Sequence, residues 1–247
     1  QPRDEDEPQF IENGQALSAG RGAYWIKEGW RLFAAQPVMW WVCLLIVFGI
    51  SVVTQIVPVL GPVVSAFLSP ILWAGLLLGA HGVRQGERLT VSDTFAGFRT
   101  APGTLVGLTL VQFALVVAVV AVVMVLFWSQ FSAAMTGALG SSGPSEFLAS
   151  LGLALLVLAL LLTPVMAACY FAVALVAVGG QGVFAALRMS FWGCMKNVLP
   201  FLIYFVLIAA AAFVATVPLG LGWLLLVPVI VTSTYAAYRD VFYADEA

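Results

Sequence analysis

Bond-making chemistry in this 247-residue chain would have to start from one histidine, three cysteines and twelve carboxylates, and their spacing argues against it. His81 stands in "GLLLGAHGVRQGE" at the end of an apolar run. Without further histidines it cannot complete a three-histidine metal site, and no triad partners are evident beside it. A haem held by His and Met stays open beside a hydrated or hydrogen-bonded interfacial histidine. Cys43, Cys169 and Cys194 form no CxxC pair and lie in or beside apolar runs, which suits small packing residues. Most acids gather at the ends, Asp4, Glu5, Asp6, Glu7 and Glu12 at one and Asp245 and Glu246 at the other. The Gly-rich "VGGQG" lacks the Lys and Ser/Thr needed to cradle phosphate, and no dinucleotide or nucleic-acid motif is present. These residues predict no enzyme, no cofactor, no metal and no nucleic-acid partner.

The elements that would position any site are membrane spans. With 62% hydrophobic and 9% charged residues, the chain has too little polar surface to cover a water-soluble globule. A helix needs about 20 apolar residues to cross about 30 Å of hydrocarbon. Six runs qualify: 38–57, 59–83, 104–128, 147–178, 199–217 and 219–238. None contains Asp, Glu, Lys or Arg, which weighs against an intramembrane carboxylate relay. The fourth is long, with Pro164 near its middle, and is expected to be one tilted or kinked helix. Six spans place all ten Lys and Arg residues on one side, so both termini are expected in the cytoplasm. No basic segment followed by an apolar core marks a secretory signal peptide.

A loose triplication organises the spans. "WIKEGWRLF", "VSDTFAGFR" and "VFAALRMSFWGCMK" each precede a hairpin, and Pro37, Pro102 and Pro200 follow them near the span entrances. Each is expected to lie in the headgroup region, with Trp25, Trp30, Phe33, Phe95, Phe98, Phe191 and Trp192 at the boundary. The second helix of each hairpin carries a proline, Pro70, Pro164 or Pro228, expected to bend it. Each proline frees a carbonyl, at Ala66, Leu160 and Leu224, that must find another donor in lipid. Converging bent helices could bring these carbonyls together with Ser69, Thr163 and Thr232 as a polar locus; good packing alone is the simpler alternative. Gly75 and Gly79, in GxxxG spacing, and Ala168 and Ala172 are expected to let helices approach closely.

"GAYWIKEGWRLFAAQPVMWW", "IVPVLGPVVSAFLSPILWAGLLLGAHGVRQGE", "TFAGFR", "ALRMSFWGCMKNVLPFLIY" and "VPVIVTSTYAAYRDVFY" resemble a family of bacterial inner-membrane proteins of unknown function. The likeness extends more distantly to the membrane domains of some glycerophosphodiester phosphodiesterases. It implies a six-helix domain in a bacterial cytoplasmic membrane and supplies no catalytic residues. The acidic N-terminal stretch departs from the basic or neutral start expected of such a family.

The fold class expected is an all-α membrane protein: six transmembrane helices in three successive hairpins, each preceded by an interfacial amphipathic helix. Residues 1–21 are expected to form an acidic disordered tail, 22–243 the transmembrane domain and 244–247 a C-terminal tail. The function expected is that of a non-enzymatic accessory or scaffold subunit touching membrane lipids and other membrane proteins. The alternative is a carrier or binder of a neutral or lipid-like molecule.

Overall fold

A computed structural model describes residues 9–58, 60–135 and 144–244, and its regular elements are helices. In chain order these are α1 (Arg21–Ala35), α2 (Pro37–Gln55), α3 (Leu60–Arg84), α4 (Val91–Thr94), α5 (Gly97–Thr100) and α6 (Pro102–Leu126). There follow α7 (Trp128–Met135), α8 (Pro144–Tyr170), α9 (Ala172–Ala177), α10 (Val183–Lys196), α11 (Val198–Thr216) and α12 (Trp223–Phe242). Six stretches are long and apolar enough to cross a membrane: α2, α3, α6, Phe147–Ala177, α11 and α12. Pro37 and Pro102 open α2 and α6, where a missing N–H costs nothing.

The chain is thus a multi-pass helical membrane protein built as three hairpins, α2–α3, α6–α8 and α11–α12. An amphipathic segment comes before each: α1, the pair α4 and α5, and α10. In the second copy the segment is split into two single turns, the first opened by a capping box between Thr90 and Asp93. At the centre stand α3 and α12, with 44% and 67% of their apolar windows buried, whereas the other four spans bury 6–22%. The tip of the α6–α8 hairpin has its own small core of Val123, Phe127 and Ala154, apart from the main one.

The first amphipathic helix is also held by the bundle: α1 is seated in the fork of the last hairpin, between α11 and α12. Arg21 meets Asp240 and Gly29 meets Ser233, so α1 runs antiparallel along α12. Glycine makes this possible: a Cβ on Gly29 would lie 2.6 Å from the Ser233 nitrogen, and one on Gly22 would overlap the Pro200 carbonyl. Apolar burial between helices and two ion pairs fix the place of this helix in the bundle.

The N-terminal stretch differs from expectation. Residues 1–8 lie outside the described residues, but 9–20, expected to belong to a disordered tail, pack on the C-terminal end of α12. Ile11 N–H donates to the Phe242 carbonyl at 2.8 Å, and Ala244 N–H donates to the Gln9 carbonyl at 3.1 Å. Phe10 stacks on Phe242 and meets Tyr243 edge-on. Both ends of the described chain therefore meet at one end of the bundle.

Candidate functional site

That end holds Arg21, Lys196, Arg239 and a buried polar core. Asp240, only 4% exposed, lies in the last turn of α12, just past the run of apolar residues that defines the span. Its carboxylate accepts from Arg21 Nε at 2.8 Å, from Arg21 Nη2, and from Trp25 Nε1 at 2.6 Å. A buried carboxylate is tolerated when paired and hydrogen-bonded in this way. Glu28, on the next turn of α1, accepts from Arg31 Nε at 2.9 Å and has Arg84 at 3.7 Å, so it ties α1 to the end of α3. The hydrogen bond and charge of Glu28 raise the Arg31 pKa further above its ordinary value.

Asn197 does similar work at the α10–α11 junction. It accepts from Leu17 N–H at 2.9 Å and donates to the Gln15 carbonyl at 2.7 Å and the Gly193 carbonyl at 2.8 Å. Lys196 Nζ donates to the Gly14 carbonyl at 2.9 Å. Asp240, Glu28, Asn197 and Lys196 are thus occupied in joining elements, and among the described residues no three His, Cys, Asp or Glu side chains come together as metal ligands.

The candidate glycines have close neighbours. A Cβ on Gly75 would overlap the Thr94 carbonyl, and one on Gly79 would sit 2.6 Å from Leu89 Cδ1. These glycines admit the α4 segment and the loop before it against α3. Ala168 is half-buried against the main core and Ala172 fully buried in it.

The prolines do not mark a common locus. Ser69 and Thr163 are exposed and bond carbonyls of their own helices, Ser65 at 2.7 Å and Ala159 at 2.8 Å, whereas Thr232 is buried and donates to the Gly29 carbonyl at 2.8 Å. Around Pro70, Pro164 and Pro228 the helices continue. The fourth span is interrupted instead at Phe171, where the Ser190 hydroxyl accepts from Phe171 N–H at 2.9 Å and donates to the Ala167 carbonyl at 2.7 Å. A side chain from α10 has taken both partners of one helical hydrogen bond, a recognised cause of a break. One freed carbonyl does find the outside donor that lipid demands: Leu224 accepts from Trp41 Nε1 at 2.9 Å.

Of the aromatic residues expected at the boundary, Trp25 and Phe33 are buried inside the protein, Trp25 completely, against Phe201 and Tyr204. Their place is set by the seat of α1 between two spans. Trp30, Phe95, Phe98 and Trp192 are exposed, and Phe191 is half-buried. His81 Nδ1 is 2.8 Å from the Tyr235 hydroxyl and its Nε2 is 3.1 Å from Gln85, so both ring nitrogens have protein partners. Cys43, Cys169 and Cys194 are free thiols, and burial pushes Cys194 up to about 12.

Two apolar grooves open on the outer face of the spans. The first, about 400 Å³, lies where α8 and α11 diverge above α10, with Met166, Tyr170, Cys194 and Phe205 among its walls. The second, about 470 Å³, lies between α11 and α12 over Trp30. Neither gathers the convergent polar groups that would activate a bond; they present apolar surface to whatever fills the bilayer beside them.

Sequence reasoning missed Asp240, Arg21 and Glu28 as buried partners, since each could equally be a solvated boundary charge. One signal was available: Asp240 is the first carboxylate after Glu146 in more than 90 residues, and it adjoins an apolar span.

No curated protein and no solved structure matches the chain. The expected likeness to the membrane domains of glycerophosphodiester phosphodiesterases therefore finds no support. A family model described as "Domain of unknown function (DUF7847)" matches residues 16–242, from the segment that packs on α12 to the last turn of α12 itself. Over this length, the chain belongs to the DUF7847 family, whose function is unknown.

Proposed function

We propose that this is a non-enzymatic accessory or scaffold subunit of a bacterial cytoplasmic membrane, acting through contacts of its spans with other membrane proteins, with both termini in the cytoplasm. The observation that carries this is the imbalance of burial. α2, α6, Phe147–Ala177 and α11 bury at most 22% of their apolar windows within the chain, while α3 and α12 hold the bundle together. Helix association in lipid depends on close packing, and small residues such as Ala209, Ala210 and Ala211 are exposed along α11. Orientation rests on the Lys and Arg residues at one end of the bundle.

The test places photo-crosslinking side chains at Leu45, Phe48, Phe113 and Val117, all exposed or half-buried on spans, and at the buried control Leu105. The expected result in intact membranes is one or a few discrete protein adducts from the exposed sites and none from the control. Lipid adducts alone would refute the scaffold role, and labelling of a cysteine at Arg88 from outside intact cells would refute the orientation. A second role, binding of a neutral or lipid-like molecule, is favoured by the apolar groove between α8 and α11.

A further inference from the structure

The α8–α11 groove ends at α10, and the character of α10 narrows what the groove would hold. Met195 lines the groove. Trp192 and Arg188, three and seven residues earlier, fall on the same helical face, and all three are exposed. At 1.5 Å per residue, Arg188 stands about 10 Å from the groove's end along that helix. Between Glu146 and Asp240 the chain carries Arg188, Lys196 and Arg239 and not one carboxylate. Arg239 adjoins Asp240, whereas Arg188 and Lys196 have no carboxylate within 40 residues of them in the chain. An apolar slot of about 400 Å³ falls within the ~300–1,000 Å³ of pockets that take small apolar ligands. Beyond its end come an indole and a guanidinium, the side chains suited to a headgroup boundary and to a phosphate.

We propose that the α8–α11 groove is a binding site for an anionic phospholipid, with one acyl chain between Met166 and Phe205 and the phosphodiester beside Trp192 and Arg188. This rests on the second role above and names its ligand class. Thr163 spends its hydroxyl on the Ala159 carbonyl, so the wall it contributes offers a methyl to the chain. Arg188 supplies charge that a neutral lipid would leave unused.

The test is native mass spectrometry of protein from nanodiscs holding equal parts phosphatidylglycerol and phosphatidylcholine, after transfer to mild detergent. The wild type is expected to retain one phosphatidylglycerol, at least fivefold over phosphatidylcholine. Ala159→Phe, which fills the groove, should abolish retention of either. Arg188→Gln should remove the fivefold preference, and Arg188→Lys should keep most of it. An unchanged melting temperature confirms that each variant is folded, and Leu162→Phe, on the same wall, serves if Ala159→Phe is not. Loss on filling the groove with no effect of Arg188→Gln would overturn the anionic assignment and leave a lipid-like ligand standing. Retention unaffected by either filling variant would overturn both.

Discussion

Asp240 and Arg21 should prove to be strongly coupled, with a size that follows from their surroundings. Removing Asp240 as Ala takes away the two bonds it accepts from the Arg21 guanidinium and the one it accepts from Trp25 Nε1. Breaking a buried pair from one side costs about 3–5 kcal/mol, much of it the penalty on the abandoned partner. The Arg21 side chain keeps 29% exposure, so water restores part of its solvation, whereas Trp25 at 0% cannot be reached. The lower part of the range applies, about 3 kcal/mol. Arg21→Ala leaves a buried carboxylate held by one indole and should cost about the same. The double variant removes both charges and leaves only the Trp25 N–H unpaired, a loss of about 1–3 kcal/mol. Coupling of about 3–5 kcal/mol is therefore expected, at or above the upper end of measured pairs. Unfolding of the four proteins by SDS in mild detergent, followed by tryptophan emission, would measure it. Additivity within about 0.5 kcal/mol would show that the pair does not fasten α1 to α12.

Gly29→Val should destabilise the same α1–α12 seam through overpacking by about 1–3 kcal/mol or more, and should expose sites in α1 to added protease; an unchanged digest would count against the seat described. Ser190→Ala leaves the Phe171 N–H without its partner and should lower stability by about 1–3 kcal/mol unless the helical bond to Ala167 re-forms, which hydrogen exchange at Phe171 would report. Cys194 should resist alkylation by maleimide at pH 8 in the folded protein, because its thiol is buried and stays protonated below about 12, and should react once the protein is unfolded; rapid labelling of the native protein would contradict its burial. Trp41→Phe removes the donor to the Leu224 carbonyl and is expected to cost about 0.5–1.5 kcal/mol in the same SDS assay.

The spans were legible in the sequence because a hydrocarbon layer imposes one length and one composition, and the observed boundaries fall within a few residues of the runs read from it. The order of segment and hairpin was legible for the same reason, since Pro37 and Pro102 open helices wherever they occur. What eluded the sequence depends on contacts far apart in the chain. An amphipathic helix with Lys27 and Arg31 on one side reads the same whether its apolar face meets lipid or the fork between α11 and α12. Gly75 reads as a place of close helix approach, but that the segment approaching is the single turn at Thr94 is set by the fold. The break at Phe171 comes from Ser190 on another helix, and Pro164, the local suspect, leaves the helix continuous. Arg84, Arg239 and Asp240 lie in the last turns of two spans, where hydropathy alone cannot separate a buried pair from a solvated end.

The seat of α1 bears on how the protein is made. Its walls, α11 and α12, leave the ribosome well after it, so α1 is synthesised some 160 residues before the fork that receives it exists. Until then its charged side needs water and its apolar side needs lipid, which a resting place among headgroups provides. Docking therefore joins a helix made early to walls made late, and a nascent chain halted after Thr216 should still carry α1 loose at the membrane surface.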